Sequence, residues 1–324
     1  MKAIVQMGYG SPRDVLKLKK VETPNPSGNE VLIKIQAASI TFGDLAAVKG
    51  EPFIARLFLG LREPKVKIPG KDVAGIVEAV GPNVEAFKPG DQVFGDLSEC
   101  GWGAYAEYVC APQDAFVRMP DNISFIEAAS APESGVVAIQ GLKGKGHIQA
   151  GQKVLIVGAS GGIGTFAVQI ARAFDTEVTG VCGTRNVDLV RSLGAHHIID
   201  YTQKDFVDSG TQYDLILATA GYRSIFDYKR TLAPGGHYVA TGGEMKQIFQ
   251  PMLLGPFLST GARKMTSLSM KPNRDDLTML RDLIETGKVS PVIDKVFSLK
   301  ELPEAFRYYA QGHSCGKVVV IIEK

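Results

Sequence analysis

The sequence predicts an α/β protein that combines a doubly wound parallel sheet with a second domain of short, irregular strands. From about residue 125 onward, apolar runs of strand length alternate with amphipathic helical stretches, which is typical of strands buried on both faces of a parallel sheet. A glycine-rich turn, VGASGGIGT (157–165), joins the first of these strands to its helix. Before residue 122, alternating strands are separated by Pro-Gly and Gly-Pro turns, as in a partly open barrel.

Length and composition fit two soluble domains. The chain has 324 residues, of which 45% are apolar and 22% charged, and its net charge is +2. This charge gives no basic surface for nucleic acid, and the late apolar run Val318 to Ile322 is far shorter than a membrane span. The four cysteines form no C-x-x-C pair, and the N-terminus has no secretory pattern. We therefore expect a cytosolic protein with no membrane or nucleic-acid partner.

The strand patterns define two predicted domains. Residues 123–289 contain six apolar strands separated by helical stretches, at 153–157, 177–181, 196–200, 214–218, 237–241 and 264–269. After them, strands at 294–299 and 316–322 resemble the strands of the first region. The first domain is therefore predicted to be discontinuous, comprising residues 1–122 and 290–324.

When the turn at 157–165 is aligned to the three-glycine fingerprint of dinucleotide-binding proteins, Ala159, Gly161 and Gly164 fill its three positions. Gly161 permits close approach of a pyrophosphate, Gly164 permits close packing of helix on strand, and the helix N-terminus favours an anion. In the alternative interpretation this segment is only a structural turn. The predicted pyrophosphate site comprises Ala159, Ser160, Gly161, Gly162, Ile163 and Gly164.

The stretch VTGVCGTRN (178–186), which follows the next strand, lacks the acidic residue that commonly binds the adenosine ribose. Gly183 offers a backbone N–H, Thr184 a hydroxyl, and Arg185 a planar fork suited to phosphate. These residues predict a 2′-phosphate and hence NADPH rather than NADH. Alternatively, Thr184 caps the next helix, which we expect to begin at Asn186, and Arg185 is a solvated surface charge.

These segments resemble those of the zinc-free medium-chain dehydrogenase/reductases, the quinone oxidoreductase-like and reticulon-4-interacting-protein-like group often called NAD(P)-dependent alcohol dehydrogenases. The similarity runs the whole length and includes IPGKDVAGIVEAVG, FKPGDQVFGD, GASGGIGTFAVQIA, TRNVDLVRSLGA, IDYTQKDF and GKVVV. The resemblance implies a Rossmann domain wrapped by a discontinuous GroES-like β-barrel domain, with the active site in the cleft between them. It also implies NADPH as cofactor and a homodimer.

The resemblance also implies roles for individual residues. Thr184, Arg185 and Tyr201 match the positions that form the 2′-phosphate pocket in relatives. The loops carrying Thr219, Gly242 and Gly243 match those that lie against the nicotinamide. In the alternative interpretation Tyr201 is a half-buried packing residue, and the other three are simply turn residues.

The metal of the zinc-dependent relatives has no counterpart here. Those relatives carry Gly-His-Glu where this chain has Gly70-Lys71-Asp72, and the first 146 residues contain no histidine. A zinc site with ligands from the first domain is therefore not expected. Glu133 stands where relatives are usually apolar, although an acid in the first turn of a helix needs no functional reason.

Hydride transfer without a metal requires an electrophilic carbon, which a quinone or a conjugated enone supplies. In the Asn-x-x-Asp stretch that faces the nicotinamide in relatives, Thr41 replaces the asparagine and Asp44 is kept. We expect Thr41 to donate a hydrogen bond to the substrate oxygen and Asp44 to orient it, or Asp44 simply to cap the next helix. No residue of the sequence is a convincing general acid.

The predicted function is zinc-independent hydride transfer from NADPH to a quinone or an α,β-unsaturated carbonyl. Two segments that we expect to be loops, 50–67 and 245–262, are rich in large apolar residues, which suggests a small hydrophobic substrate, a lid or a dimer contact. Two alternatives stay open. One is an NADPH-binding protein with little or no turnover, acting as a sensor or structural partner, because Ala218 and Val137 replace polar residues of relatives. The other is an NADP-dependent alcohol or aldehyde oxidoreductase.

Overall fold

The computed structural model describes residues 1–243, 245–259 and 262–322. The strands of this part of the chain are β1 (Lys2–Gln6), β2 (Leu16–Lys20), β3 (Glu30–Ser39), β4 (Asp72–Val80), β5 (Gln92–Asp96), β6 (Tyr108–Pro112), β7 (Phe116–Arg118), β8 (Lys153–Val157), β9 (Glu177–Cys182), β10 (His197–Asp200), β11 (Tyr213–Ala218), β12 (Leu232–Ala240), β13 (Lys264–Ser267), β14 (Ile293–Ser298) and β15 (Lys317–Ile321).

Helices connect most of these strands. They are α1 (Pro12–Val15), α2 (Phe42–Lys49), α3 (Arg56–Leu59), α4 (Phe125–Ser130), α5 (Pro132–Ile139), α6 (Gly162–Ala173), α7 (Val187–Ser192), α8 (Ile225–Thr231), α9 (Met245–Leu258), α10 (Arg274–Glu285) and α11 (Leu302–Tyr309).

The chain divides into two units. Unit 1 comprises Met1–Glu133, Pro272–Glu285 and Pro291–Lys324, and unit 2 comprises Ser134–Lys271 and Thr286–Ser290. The domain ranges expected from the sequence, 1–122 with 290–324 and 123–289, stay a prediction. The two units differ from those ranges by assigning helices α4 and α10 to the same unit as the first strands.

Unit 2 contains the predicted doubly wound sheet. Its strand order is β10-β9-β8-β11-β12-β13, and every neighbouring pair is parallel. The central strands are almost continuously apolar because helices cover both faces of a sheet of this kind. The prediction of an α/β fold with a doubly wound parallel sheet is confirmed, and the carboxyl ends of its strands meet at one edge.

Unit 1 is built on a seven-stranded sheet of order β14-β15-β3-β4-β5-β7, with β6 also paired to β3. The pairs are antiparallel except for β14 with β15, which are parallel. The last strand, β15, pairs with β3, so the end of the chain returns to the sheet formed by its beginning. The long strand β3 lies at the centre, and its carboxyl end leads into α2.

The segment 245–262 is largely helical, contrary to our expectation of a loop. Helix α9 forms although Pro251 and Pro256 lie inside it. Exposed apolar side chains still recur with helical spacing, at Phe249, Met252, Leu253 and Phe257. The two prolines concealed this periodicity, because proline normally interrupts a helix. Residues 260 and 261 of the segment lie outside the described residues.

The close approach of α6 to β8 gives a testable consequence. A Cβ added at Gly164 would overlap the carbonyl oxygen of Gly158, whereas the nearest atom to a Cβ at Gly161 is 3.5 Å away. We expect Gly164→Ala to lower the free energy of unfolding by about 1–3 kcal/mol, because backbone cannot yield as a flexible side chain can. Gly161→Ala is the matched control and keeps wild-type stability. Urea denaturation measures both, and equal stability of the two variants would contradict the packing described.

Candidate functional site

The glycine-rich turn presents the N-terminus of α6 without a side-chain cap. Gly161 is the N-cap residue and provides no side-chain hydrogen bond. The N–H groups of Gly158 and Ala159 both donate to the carbonyl of Val181, over 3.1 and 2.9 Å, which fixes the turn to the end of β9. Uncapped N–H groups and the helix dipole together favour an anion at this point. The first turn of α6, Gly162 to Gly164, thus has the properties of a phosphate site.

Ser160 connects this turn to the segment after β9. The side-chain amide of Asn186 donates to the Ser160 hydroxyl over 3.0 Å. Asn186 is the N-cap residue of α7, at the expected start of this helix, although its side chain makes no capping hydrogen bond. Its hydrogen bond instead holds the glycine turn beside residues 183–185.

An acidic residue lies beside the end of β9, but it belongs to the neighbouring strand, β10. Asp200 ends β10 and is in register with Cys182 of β9. The hydroxyl of Thr184 donates to Asp200 over 2.6 Å and lies 2.9 Å from the hydroxyl of Thr202. This hydrogen bond from Thr184 is the main cause of a lowered pKa at Asp200, with Thr202 also contributing. The carboxylate is therefore charged at neutral pH, and the Thr184 hydroxyl is engaged with it.

Tyr201 lies over Gly183. A Cβ at Gly183 would be 3.2 Å from the Tyr201 hydroxyl oxygen. The Tyr201 side chain is 56% exposed and contacts Tyr222 with a centroid separation of 6.0 Å. Arg185 is also exposed. The structure thus brings Gly183, Thr184, Arg185 and Tyr201 to one edge of the unit-2 sheet, and Tyr201 is not a half-buried packing residue.

Thr219, Gly242 and Gly243 lie at the carboxyl ends of neighbouring strands in the same unit. The Thr219 hydroxyl donates to the carbonyls of Val157 and Gly158 over 2.9 and 3.2 Å. A Cβ at Gly242 would overlap the Thr219 carbonyl oxygen, and Gly243 has a φ of +111°. These hydrogen bonds, close contacts and backbone angles give all three residues a structural role in the turns that follow β11 and β12.

In unit 1, Thr41 and Asp44 form a capping box at the start of α2. The backbone N–H and the hydroxyl of Thr41 each donate to Asp44 Oδ2 over 2.9 Å, and the Asp44 N–H donates back to the hydroxyl over 3.2 Å. Asp44 thus caps the helix, which is one of the two expected interpretations, and accepts the hydrogen bond of the Thr41 hydroxyl. A role of this pair toward a substrate stays a prediction. The single hydroxyl proton of Thr41 is directed at Asp44 in this arrangement.

Asp44 is fully buried, and its carboxyl group is only partly satisfied. The Tyr105 hydroxyl approaches Asp44 Oδ2 to 3.3 Å. Among the described residues, Asp44 Oδ1 has no hydrogen-bond partner. Burial raises the pKa of Asp44 to about 6, with the charge of Glu133 adding to it and that of Lys71 and the hydrogen bonds from Thr41 opposing it.

Lys71 and Glu133 form an ion pair next to this capping box. Lys71 Nζ lies 2.8 Å from Glu133 Oε2, and the two side chains are 10% and 19% exposed. A Cβ at residue 43 would overlap Lys71 Nζ, so the glycine of α2 makes room for the ammonium. Burial lowers the pKa of Lys71, but the charge of Glu133 outweighs it and leaves that pKa above its usual value. Likewise, burial raises the pKa of Glu133, but the charge of Lys71 outweighs it and leaves that pKa below its usual value.

A second buried pair lies beside the first. Asp72 Oδ2 accepts from the Ser39 hydroxyl over 2.9 Å and lies 3.3 Å from Lys317 Nζ, while Asp72 Oδ1 accepts from the Glu133 N–H over 2.9 Å. Burial raises the pKa of Asp72 to about 7, although the charge of Lys317 opposes this. We refer to these residues and their neighbours as the buried ionic cluster, which comprises Asp44, Lys71, Asp72, Asp96, Glu133 and Lys317.

Sequence reasoning missed this cluster and Asp200. From the sequence, Lys71 only replaces a metal-binding histidine, and Glu133 is only an acid in the first turn of a helix. The available signal is the charge of Lys71, Asp72 and Glu133 within stretches that are mainly small and apolar. For Asp200, the signal was its position at the end of the strand predicted to follow β9, since parallel neighbours end at the same edge of a sheet.

Neither a metal cluster nor a membrane span is visible within residues 1–243, 245–259 and 262–322. No three histidine, cysteine, aspartate or glutamate side chains of these ranges are grouped so that they could hold a metal ion. No helix in them has the length and apolar character needed to cross a bilayer.

Comparison with known proteins gives matches over the whole chain. Residues 27–121 match the family model of the alcohol dehydrogenase GroES-like domain, and residues 193–320 match that of zinc-binding dehydrogenase. The chloroplastic quinone-oxidoreductase QR1 of Triphysaria versicolor is 35% identical over 99% of this chain and 98% of its own length. The chloroplastic NADPH-dependent alkenal/one oxidoreductase of Arabidopsis thaliana is 32% identical over 99% and 79%. The solved quinone oxidoreductase of Coxiella burnetii has a TM-score of 0.88 at 30% identity, covering 100% of this chain and 99% of its own.

The burial of Asp44 predicts a pH dependence of stability. Its pKa is raised from 3.8 to about 6, so the folded state binds this proton more tightly than the unfolded state does. The stabilisation is complete below pH 3.8 and is lost as the pH rises to about 6, a loss of about 3 kcal/mol in the free energy of unfolding. Asp44→Asn removes this part of the slope, because an amide still accepts from Thr41 but does not titrate.

Urea denaturation of both proteins across this pH range measures the effect. The exposed Asp114, whose side chain is 73% exposed in the same unit, provides the control variant Asp114→Asn, which keeps the wild-type slope. If Asp44→Asn also keeps that slope, the carboxyl group titrates normally and the account of its burial is wrong.

Proposed function

The chain belongs to the medium-chain dehydrogenase/reductases of the quinone oxidoreductase type, and from that membership we propose that it transfers hydride from NADPH to a quinone or an α,β-unsaturated carbonyl without zinc. Membership alone makes it an oxidoreductase of a family that binds NAD(P)(H). The observation that supports NADPH in particular is the edge of the unit-2 sheet, where the uncapped start of α6 and residues 183–185 lie together.

The residues of this edge fit a phosphorylated dinucleotide. The uncapped N–H groups from Gly162 to Gly164 suit the pyrophosphate, and the lack of a side chain at Gly161 would let it approach the backbone closely. Arg185 and the hydroxyl of Tyr201 would hold the 2′-phosphate beside Gly183. When bound, the nicotinamide of this cofactor supplies a hydride, which carries two electrons to the substrate.

Asp200 works against the phosphate. Its carboxylate is charged and lies one hydrogen bond from Thr184, so it repels a second anion nearby. Since Thr184 donates its proton to Asp200, the Arg185 guanidinium is left as the main attractive group for the 2′-phosphate. We therefore propose a preference for NADPH that depends on Arg185 and is limited by Asp200.

On the substrate side we propose roles for Thr41 and Asp44. Addition of hydride to the β-carbon of an enone moves the π electrons onto the carbonyl oxygen, which then needs a hydrogen-bond donor. The Thr41 hydroxyl can serve by turning its proton from Asp44 toward that oxygen, while the capping N–H keeps it in place. Asp44 thereby orients Thr41. The relatives named above, a quinone oxidoreductase and an alkenal/one oxidoreductase, support this substrate class.

A cofactor-binding protein with little or no turnover is the second candidate. It is favoured by the internal hydrogen bonds of Thr41 and Thr219, whose hydroxyls are both directed at other groups of the protein. Interconversion of a simple alcohol and its aldehyde is a third candidate, which none of the contacts described above favours. A homodimer and a cytosolic location are further proposals, and the two relatives named above are chloroplastic.

Oxidation of NADPH with a panel of quinones, enones and simple aldehydes tests the function. We expect turnover with at least one quinone or enone and none with saturated aldehydes, because only conjugated acceptors offer an electrophilic carbon without a metal. Elemental analysis of the active protein serves as the control for zinc. Tight NADPH binding with no turnover on any acceptor would establish the second candidate instead.

Cofactor choice is tested by two substitutions measured as affinities for NADPH and NADH. Arg185→Ala should weaken NADPH by about 1–3 kcal/mol through loss of a charged hydrogen bond and leave NADH nearly unchanged. Asp200→Asn should strengthen NADPH relative to NADH, because it removes the repelling charge.

Arg191→Ala is the matched control, since Arg191 is an exposed arginine of α7 that pairs with Asp188. It should leave both affinities as they are. Equal loss of NADPH and NADH in Arg185→Ala would mean that residues 183–185 are only the start of a helix.

A further inference from the structure

The Lys71–Glu133 ion pair is the part of the buried ionic cluster that reaches the surface of unit 1. Its side chains are 10% and 19% exposed, whereas Asp44 and Asp72 are fully buried and Lys317 is 3% exposed. Burying an ion pair brings little stability by itself, because desolvation offsets the attraction. Stability alone therefore does not explain a buried ion pair next to the capping box of Thr41, and this points to a functional role.

We propose that Lys71 is a catalytic residue of this protein, which donates a hydrogen bond from its ammonium group to the substrate oxygen on which negative charge develops. Glu133 is the positioning residue that holds the ammonium in place. This inference rests on the proposed reduction of a quinone or enone, and it supplies the electrophilic group that the sequence did not reveal.

The donor inventory makes Lys71 a stronger donor beside Thr41 for the same oxygen. Thr41 has one hydroxyl proton, which is directed at Asp44 Oδ2 over 2.9 Å. An ammonium has three N–H donors, and the partner of Lys71 in its ion pair is the Glu133 carboxylate at 2.8 Å. The ammonium lies against Gly43, in the first turn of α2, where any larger side chain would displace it. A donor of this kind can serve a second oxygen while it keeps the first.

The charged groups around Lys71 lie on five different elements. Asp44 lies on α2, Asp72 on β4, Asp96 on β5, Glu133 on α5 and Lys317 on β15. Burial raises the pKa of Asp44 to about 6, that of Asp72 to about 7, and that of Asp96 above its usual value. Below about pH 6 Asp44 and Asp72 are largely protonated, so the carboxylate of Glu133 is the main negative charge that opposes the two ammonium groups. As the pH rises, Asp44 and Asp72 ionise, and stabilisation of an anion at Lys71 weakens.

The reaction balances with this assignment. Hydride adds to the β-carbon, the π pair of the Cα=Cβ bond shifts to form a double bond between Cα and the carbonyl carbon, and the π pair of the carbonyl moves onto its oxygen, which gives an enolate. The N–H of Lys71 stabilises that oxygen by a charged hydrogen bond without giving up its proton. A proton from water then reaches the α-carbon of the enone product, or the oxygen of a hydroquinone. NADPH is oxidised by two electrons and the acceptor is reduced by two.

Binding of 4-nitrophenol in the presence of NADP⁺ tests the inference without turnover. Its phenolate imitates an enolate or hydroquinone oxygen and is followed by its own absorbance. We expect the wild-type protein to bind the phenolate and lower the apparent pKa of the bound phenol. In the double variant Lys71→Met/Glu133→Gln, which leaves no unpaired buried carboxylate, the phenolate should bind roughly 10–100-fold more weakly. With an enone, kcat should fall about 100-fold while KM changes far less.

Lys2→Met/Glu107→Gln is the matched control, because Lys2 and Glu107 form a lysine–glutamate ion pair in the same unit that lies outside the buried ionic cluster. It should leave phenolate affinity and kcat at their wild-type values. No bound phenolate with the wild-type protein, or equal phenolate affinity in the wild type and the double variant, overturns the assignment of Lys71. Phenolate binding that requires Lys71, in a protein that reduces no quinone or enone, would contradict the proposed function but still support an anion site at Lys71.

Discussion

The carboxylate of Asp72 joins three segments of unit 1 that are far apart in the chain. It accepts hydrogen bonds from the Ser39 hydroxyl and the Glu133 N–H and pairs with Lys317. A carboxylate buried so completely is costly unless its oxygens are used, so the strands and the helix that carry these partners are held in one arrangement. Because Lys71 immediately precedes Asp72 and Glu133 is tied to it, the ion pair next to Thr41 depends on this one group.

Unit 2 depends on a different constraint, the parallel alignment of its strands. Parallel strands end at the same edge, so short segments from distant parts of the sequence meet there without long-range ion pairs. The glycine turn after β8, the segment after β9 and Tyr201 after β10 are brought together in this way. The same alignment brings Asp200 to Thr184, so the acid and the residues proposed to bind phosphate meet for the same reason.

Much of this architecture was predictable from the sequence. The apolar run 153–157 has the same bounds as strand β8, and the helix expected after the glycine turn begins at Gly162. Both could be predicted because a buried parallel strand is an apolar run of strand length and an amphipathic helix has a clear periodicity. The family match confirms the expected Rossmann and GroES-like architecture. What could not be predicted was the engagement of individual polar groups. Whether Lys71 meets Glu133, or Thr184 meets Asp200, is decided by tertiary packing, and neither contact leaves a periodic signal.

In this oxidoreductase the sheet topology of unit 2 brings together the residues proposed to bind the cofactor, and the buried ionic cluster of unit 1 supplies the charges proposed to act on the substrate. The central proposal is direct hydride transfer to a conjugated acceptor. The most direct test uses NADPH deuterated at C4 of the nicotinamide, supplied separately as each stereoisomer, with mass spectrometry of a reduced enone. The account predicts one deuterium at the β-carbon from one stereoisomer only. A reduced product without deuterium at that carbon, or no reduced product at all, would contradict it.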